Sequence, residues 1–291
     1  MEFYQKSDLA CESYVIDDKN NEKNGIISVL DTFFGYDLIR TEIVSERGSN
    51  LTGKEIGKYL TLYVGKTDKY IESEKQKITQ ALSKAIREII FDFKLSKPTT
   101  LAVCLGNKDI IADSLGPLVA SALVPTHHLL KSVVTHHEST ENFPKPEYDL
   151  AVLCPGVLGQ SGISAVSLIK SAIKTTGARL VIVIDACTSS SPLRLLSTVQ
   201  ISSVGIVPGS GRGKESGEIS KRTLGVPVIS IGVPTSISAF NLTCATLEKS
   251  PKELNLQLPT SVGELYTPHG GDAEIKSLSG IIKNAITEAI K

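Results

Sequence analysis

Four short apolar runs restrict the fold of this chain more than any other feature. They are Thr99 to Leu105, Asp149 to Cys154, Arg179 to Asp185 and Pro227 to Val233, and as a set they are rich in Val and Ile. Each ends in or beside Gly, Pro or Asp. Helical patterns lie between them, at Ser114 to Leu123, Ile163 to Thr175 and Pro192 to Thr198, and another, Ser236 to Leu247, follows the last run. Continuous apolar strands alternating with helices predict an α/β fold with a mostly parallel central sheet, flanked by helices on both faces. Upstream, Ile26 to Val29, Arg40 to Ser45 and Tyr59 to Val64 read as strands of an N-terminal β-rich elaboration. Ile71 to Phe93 reads as a helix, with Ile71, Ile78, Leu82, Ile86 and Ile89 near helical spacing. Glu274 to Ile290 reads as a C-terminal amphipathic helix, and the polar run Asp17 to Gly25 as a flexible loop.

Composition narrows the functional classes. Of 291 residues, 41% are hydrophobic and 21% charged, an ordinary globular balance that excludes wholesale disorder. The 31 basic and 31 acidic residues cancel, so no net positive charge is present to hold a nucleic acid. With no Trp there is little material for stacking single-stranded bases. No apolar run reaches the roughly 18 residues of a membrane span. Residues 1–6 carry neither a basic nor an apolar leader pattern, so a cytoplasmic location is expected. The five cysteines are odd in number and lack any C-x-x-C pair, which argues against a disulfide framework or a zinc knuckle. Cys104, Cys154 and Cys187 are expected as small core residues.

In a parallel sheet the ligand site lies beyond the carboxyl ends of the strands. The residues to read are therefore Gly106 to Asp113, Pro155 to Gly162, Asp185 to Thr188 and Pro234 to Ser236. Asp185 closes the run Val181 to Ile184, where a carboxylate is costly to bury unless it is paired or hydrogen-bonded. Asp113 stands where a helix N-cap is expected, so a plain cap competes with a functional role. Gly209, Ser210 and Gly211 open a Gly-rich loop able to bind an anion through its amides. That loop departs from the Walker pattern, because Glu215 follows Lys214. His127–His128 and His136–His137 are adjacent pairs that point to different helix faces, a poor arrangement for metal ligation.

Taken together these strings resemble one family. Leu105-Gly106-Asn107 with Asp113-Ser114-Leu115-Gly116-Pro117 is similar to G-L-G-N-x-x-x-T-P-D-A-L-G-P. Pro155 to Ile163 is similar to P-G-V-x-G-x-T-G-I, and Ile184-Asp185-Ala186 to I-D-A-L. Gln200 to Ser202, Gly205-Ile206, Pro208 to Gly211 and Leu224 to Thr235 continue the match in order. Ser7 to Ala10, Arg40 to Ile43, Gly57 to Leu62 and Tyr266 to Pro268 with Glu274-Ile275 extend it over nearly the whole chain. The resemblance is to the germination proteases, endopeptidases that degrade small acid-soluble spore proteins during spore germination. Departures lie near the presumed site: Ile111-Ala112, Ser164-Ala165, Ser189, Ser203 and Lys214 stand where other residues are usual.

The resemblance implies an atypical aspartic peptidase whose catalytic pair is Asp113 and Asp185, with no cofactor and no metal. Two carboxylates in one cleft do not both ionise cheaply, so one is expected to hold a proton. Substrate-binding positions implied alongside are Asn107, Gly156, Gly159, Gly209, Ser210 and Gly211. The family resemblance also implies a zymogen with residues 1–6 as propeptide, a single peptidase domain over 7–291, a homotetramer, and action in the spore core. Spore proteins are the expected partners, with no direct nucleic acid and no membrane. Gly106-Asn107, Asp113 and Gly116 are similar as well to hydrogenase-maturation endopeptidases, whose core fold the chain is expected to share. That likeness leaves a metal-dependent alternative, with Asp113, Asp185 and one of His127 or His128 as ligands. A catalytically silent member that binds spore proteins is the other alternative.

Overall fold

The computed structural model describes residues 7–14, 21–130, 146–207, 217–247 and 265–291. Among the described residues nine strands form one sheet in the order β1-β2-β3-β7-β8-β6-β4-β5, with β9 (Leu265–Tyr266) added to the end of β8. Its parallel part is β8 (Val228–Ser238), β6 (Leu180–Ser189), β4 (Thr100–Cys104) and β5 (Leu150–Leu153). The β-rich elaboration is β1 (Ile26–Phe33), β2 (Tyr36–Ile43) and β3 (Gly57–Tyr63), all antiparallel. It continues the same sheet through β7 (Thr198–Ser202), which pairs antiparallel with both β3 and β8.

Side-chain alternation divides the core into two layers. Ala102, Cys104, Ile182, Ile184, Ile229, Ile231 and Val233 point to one face, under helices α2 (Glu72–Asp92), α3 (Leu115–Ala122) and the C-terminal Gly271–Ala289. Leu101, Val103, Val181, Val183 and Val228 point to the other, against Ile169 of α4 (Ala165–Thr176). Helices thus cover both faces, as the apolar runs predict. No helix among the described residues is long and apolar enough to cross a membrane.

Three expectations change. Pro192 to Thr198 is not a helix: only Pro192–Arg194 forms a single 3-10 turn, and Thr198 already belongs to β7. Leu196 adopts φ 53°, a left-handed conformation that stops helical propagation. Strands β6 and β8 run past Asp185 and Val233, because Thr188 and Ser189 pair with Ser236 and Ile237 across a register shift after Cys187. The end of the polar run Asp17 to Gly25 is ordered, with a 3-10 turn at Glu22–Asn24. Residues 15–20, the expected propeptide Met1 to Lys6, His136–His137 and the loop Gly209, Ser210 and Gly211 lie outside the described residues.

Candidate active site

Strand order fixes where the site falls. β4 neighbours both β5 and β6, so the chain leaves β4 towards β5 under α3 and returns to β6 under α4. Connections that depart to opposite faces open a crevice at the carboxyl ends of the two adjacent strands. Asp113 sits beyond the end of β4 and Asp185 sits on β6. Both line one cavity of about 450 Å³, within the roughly 300–1,000 Å³ of small-ligand pockets.

Asp113 is held by a tight turn. It closes the 3-10 turn Ile111–Asp113, and the N-cap of α3 is Ser114, not Asp113. The Asn107 amide donates to Asp113 Oδ2 and to the Asp113 carbonyl, both at 3.0 Å. Gly106 makes this closure feasible: its φ is 117°, and a Cβ there would lie 2.1 Å from the Asp113 carbonyl oxygen. Gly116 lets α3 start against β4, since a Cβ on it would lie 2.0 Å from the Leu105 carbonyl oxygen. Thr235 Oγ1 donates at 2.6 Å to the Ala112 carbonyl, tying the turn to β8.

Asp185 stands in the middle of β6, beyond the all-apolar part of that strand. Its Oδ1 accepts from the Ala186 amide at 2.9 Å. On its face the pattern switches from Val181 and Val183 to Asp185 and Cys187, while neighbouring strands contribute Ser230 and Gly232, Gln200 and Ser202, and Tyr59. Register sets Asp185 opposite Gly232, and Gly232 opposite Gln200. With no side chain at Gly232, the sheet keeps a trough between the carboxylate and the amide. This small and polar stripe is the cavity floor, and the Ser202 and Ser230 hydroxyls bond across it at 2.7 Å.

The N-terminal segment Ser7 to Glu12 runs beside the cavity and puts Asp8 in its lining. Asp8 Oδ2 accepts from the Thr188 amide at 2.8 Å and from its hydroxyl at 2.9 Å, and the Asp8 amide donates to the Thr188 carbonyl. Gln200 accepts from the Ala10 amide at 2.7 Å and donates to the Asp8 carbonyl at 3.2 Å. Lys54 Nζ donates to the Ser7 carbonyl at 2.7 Å. Glu12, nearly inaccessible, accepts from Ser189 Oγ and from the Ser190 amide and hydroxyl, with Arg194 3.3 Å away as its counter-ion. Ser189 thus serves as an anchor for Glu12.

The described lining carries the carboxylates Asp8, Glu55, Asp113, Asp185 and Glu218, and the amine Lys54. Desolvation raises the pKa of the Glu55 carboxyl, and neighbouring Glu218 raises it further, against an opposing pull from Arg222. Glu218 is bound by Ser220 Oγ and Arg222. Burial pushes the Cys187 thiol up, and the charges of Asp8 and Asp185 add to that shift. The Tyr59 hydroxyl is shifted up by burial and by Glu55, and it donates to the Glu55 carbonyl at 2.8 Å.

Gly156 lines the cavity. Asn107 stands behind Asp113, its Oδ1 accepting from Gln160 Nε2 at 3.2 Å and so joining the two loops. Gly159 lies on the one-turn helix Leu158–Ser161 with open space around it and is not part of the lining. Cys187 is a wall residue and Cys154 is exposed, so of the three cysteines expected in the core only Cys104 is buried there. Neither histidine of the metal-dependent alternative, His127 or His128, lines the cavity. His127 Nδ1 pairs with Asp149 at 2.7 Å, and Asp149 precedes β5, at the opposite edge of the parallel strands. Among the described residues no group of three or more His, Cys, Asp or Glu is placed to hold a metal ion.

The germination protease family model matches residues 6–255. The chain belongs to the germination protease family. The germination protease of Oceanobacillus iheyensis is 35% identical over 206 residues, covering 70% of this chain and 54% of that protein. The Bacillus mycoides protein is 35% identical over 257 residues, covering 87% and 68%. That of Clostridium acetobutylicum is 32% identical over 246 residues, covering 84% and 73%. The chain spans little more than half the length of the Oceanobacillus iheyensis protein and of the Bacillus velezensis germination protease, which is 34% identical over 211 residues. Among solved structures, a NiFe hydrogenase maturation protease, HycI, from Thermococcus kodakarensis aligns with a TM-score of 0.35 and 17% identity, covering 71% of this chain and 98% of that one.

Proposed function

We propose that this germination protease is an endopeptidase that hydrolyses small acid-soluble spore proteins, using Asp113 and Asp185 to activate water. The observation that carries the reading is the meeting of these two carboxylates in one cavity, from different strands, at the crevice the topology opens. One carboxylate takes a proton from water. The other, protonated, donates to the peptide carbonyl and then to the leaving amine. The trough over Gly232 and the polar floor of Gln200, Ser202 and Ser230 offer an extended chain partners for its backbone. Incubation with a small acid-soluble spore protein, with and without EDTA, tests the reading. Cleavage unaffected by the chelator is expected. Loss of cleavage in EDTA with stoichiometric recovery on adding one divalent ion would make the aspartates ligands instead.

The family further suggests a zymogen, a tetramer and action in the spore core. Residues 1–6 precede Ser7 in the chain, and the Ser7 carbonyl accepts from Lys54, which lines the cavity. Their removal would act by unblocking the cavity or by shifting a loop. Mass spectrometry after incubation at mildly acidic pH is expected to show their loss together with a gain in cleavage. Full-rate cleavage by a chain intact from Met1 would contradict the propeptide.

A further inference from the structure

Cys104 ends β4, and Cys154 follows the last residue of β5. The two strands are parallel and in register from Thr100 opposite Leu150 to Val103 opposite Leu153. One residue past the last paired positions, at the same step of the register, stand Cys104 and Cys154. Opposed residues on neighbouring strands share a face, and the strands lie about 4.7–4.9 Å apart. A disulfide spans Cα separations of about 4.4–6.8 Å, so the register brings the two thiols within bonding reach. The shared face is the one under α3, where Ala102, Leu150 and Val152 also pack. Cys104 is fully buried and Cys154 is exposed, so reagents meet Cys154 first.

We infer that Cys104 and Cys154 are a modification site, a thiol pair that a low-molecular-weight disulfide oxidises to a cross-strand disulfide clamping two loops of the cavity. Leu105 and Gly106 directly follow Cys104, Gly156 comes two residues after Cys154, and all three line the cavity. The loops already touch through Asn107 and Gln160. A covalent tie at their roots fixes their spacing, and with it the turn that holds Asp113.

The chemistry balances. Cys154 loses its proton, and the thiolate attacks one sulfur of the reagent, expelling one reagent thiolate, which takes up a proton. Cys104 then loses its proton and displaces the second thiolate from the mixed disulfide. The reagent is reduced to two thiols, and the protein loses two hydrogens. Burial raises the pKa of the Cys104 thiol, with Cys154 adding to it, so the second step speeds up with pH.

The test treats the full chain at pH 8 with bis(2-hydroxyethyl) disulfide, blocks remaining thiols with N-ethylmaleimide under denaturing conditions, and digests it without reduction. Mass spectrometry is expected to find peptides joined through Cys104 and Cys154, and in Cys154→Ser a Cys104 that carries maleimide. Cys154 found only as a mixed disulfide, beside a maleimide-labelled Cys104, overturns the pairing. The clamp rests on the peptidase reading and is measured separately, as peptide hydrolysis. The oxidised chain is expected to lose at least about fivefold in rate, as when loop motion is restricted, and to recover with dithiothreitol. Cys154→Ser is expected to lose nothing. A loss that persists in Cys154→Ser assigns the effect to another cysteine and overturns the clamp, as does an unchanged rate in fully cross-linked protein. If the unoxidised chain hydrolyses nothing even with residues 1–6 removed, the peptidase reading fails, and the peptide map still decides the pairing.

Discussion

Gly106 and Asp113 illustrate how little slack the site has. A methyl group at position 106 would overlap the Asp113 carbonyl and face an unfavourable φ. Gly106→Ala is therefore expected to cost about 1–3 kcal/mol of stability and to lower cleavage by displacing Asp113; calorimetry beside a cleavage assay checks both. An unchanged melting temperature with full activity would contradict the turn's role. Cys187 gives a pH signature. Its thiol is shifted upward, so at pH 8 it holds less of the reactive thiolate than an ordinary cysteine. Its labelling by iodoacetamide, followed by time-resolved mass spectrometry, is expected to keep accelerating with pH after an ordinary thiol has levelled off. At this scale the sequence shows Asp113 and Asp185 through motif and strand position. Lys54, Glu55 and Glu218 are not legible, because they reach the cavity only through pairings remote in sequence. Gln200, Ser230 and Gly232 do leave a trace, since small or polar residues alternate with Ile in otherwise buried strands.

Among the elements, the N-terminal segment Ser7 to Glu12 departs furthest from its sequence appearance. It carries no helical or strand periodicity, yet it is bonded to β6, β7 and the turn after β6. Glu12 is its main anchor. Glu12→Ala leaves the Ser190 amide and the Arg194 guanidinium short of an acceptor, at a cost of about 1–3 kcal/mol. The segment is then expected to be cut by chymotrypsin after Leu9 while the sheet remains protected, as limited proteolysis with mass analysis would show. Equal resistance in wild type and Glu12→Ala would mean the segment is held by other contacts. The same scale holds the clearest misreading. Leu193, Leu195 and Leu196 suggest helical spacing, but the chain turns left-handed at Leu196 and enters β7. β7 is hard to see in sequence because its pairing partners, β3 and β8, come from opposite halves of the chain.

At the scale of the whole molecule, the alternation of apolar runs and helices specifies the parallel sheet, and the strand order then locates the crevice. What periodicity does not reveal is that the N-terminal hairpin and β3 extend the same sheet, because antiparallel neighbours joined through β7 leave no local signal. The consequence is functional: β3 and β7 supply the half of the cavity floor opposite Asp185. The account's central claim is that Asp113 and Asp185 act as one unit across this sheet. Asp113→Asn, Asp185→Asn and the double variant, assayed side by side on a small acid-soluble spore protein, test it most directly. Each single change is expected to lower cleavage by about 10²–10⁴-fold with little change in melting temperature, and the double variant is expected to be hardly worse than either. A single variant that folds normally and cleaves at close to the wild-type rate, or losses that multiply in the double variant, would contradict it.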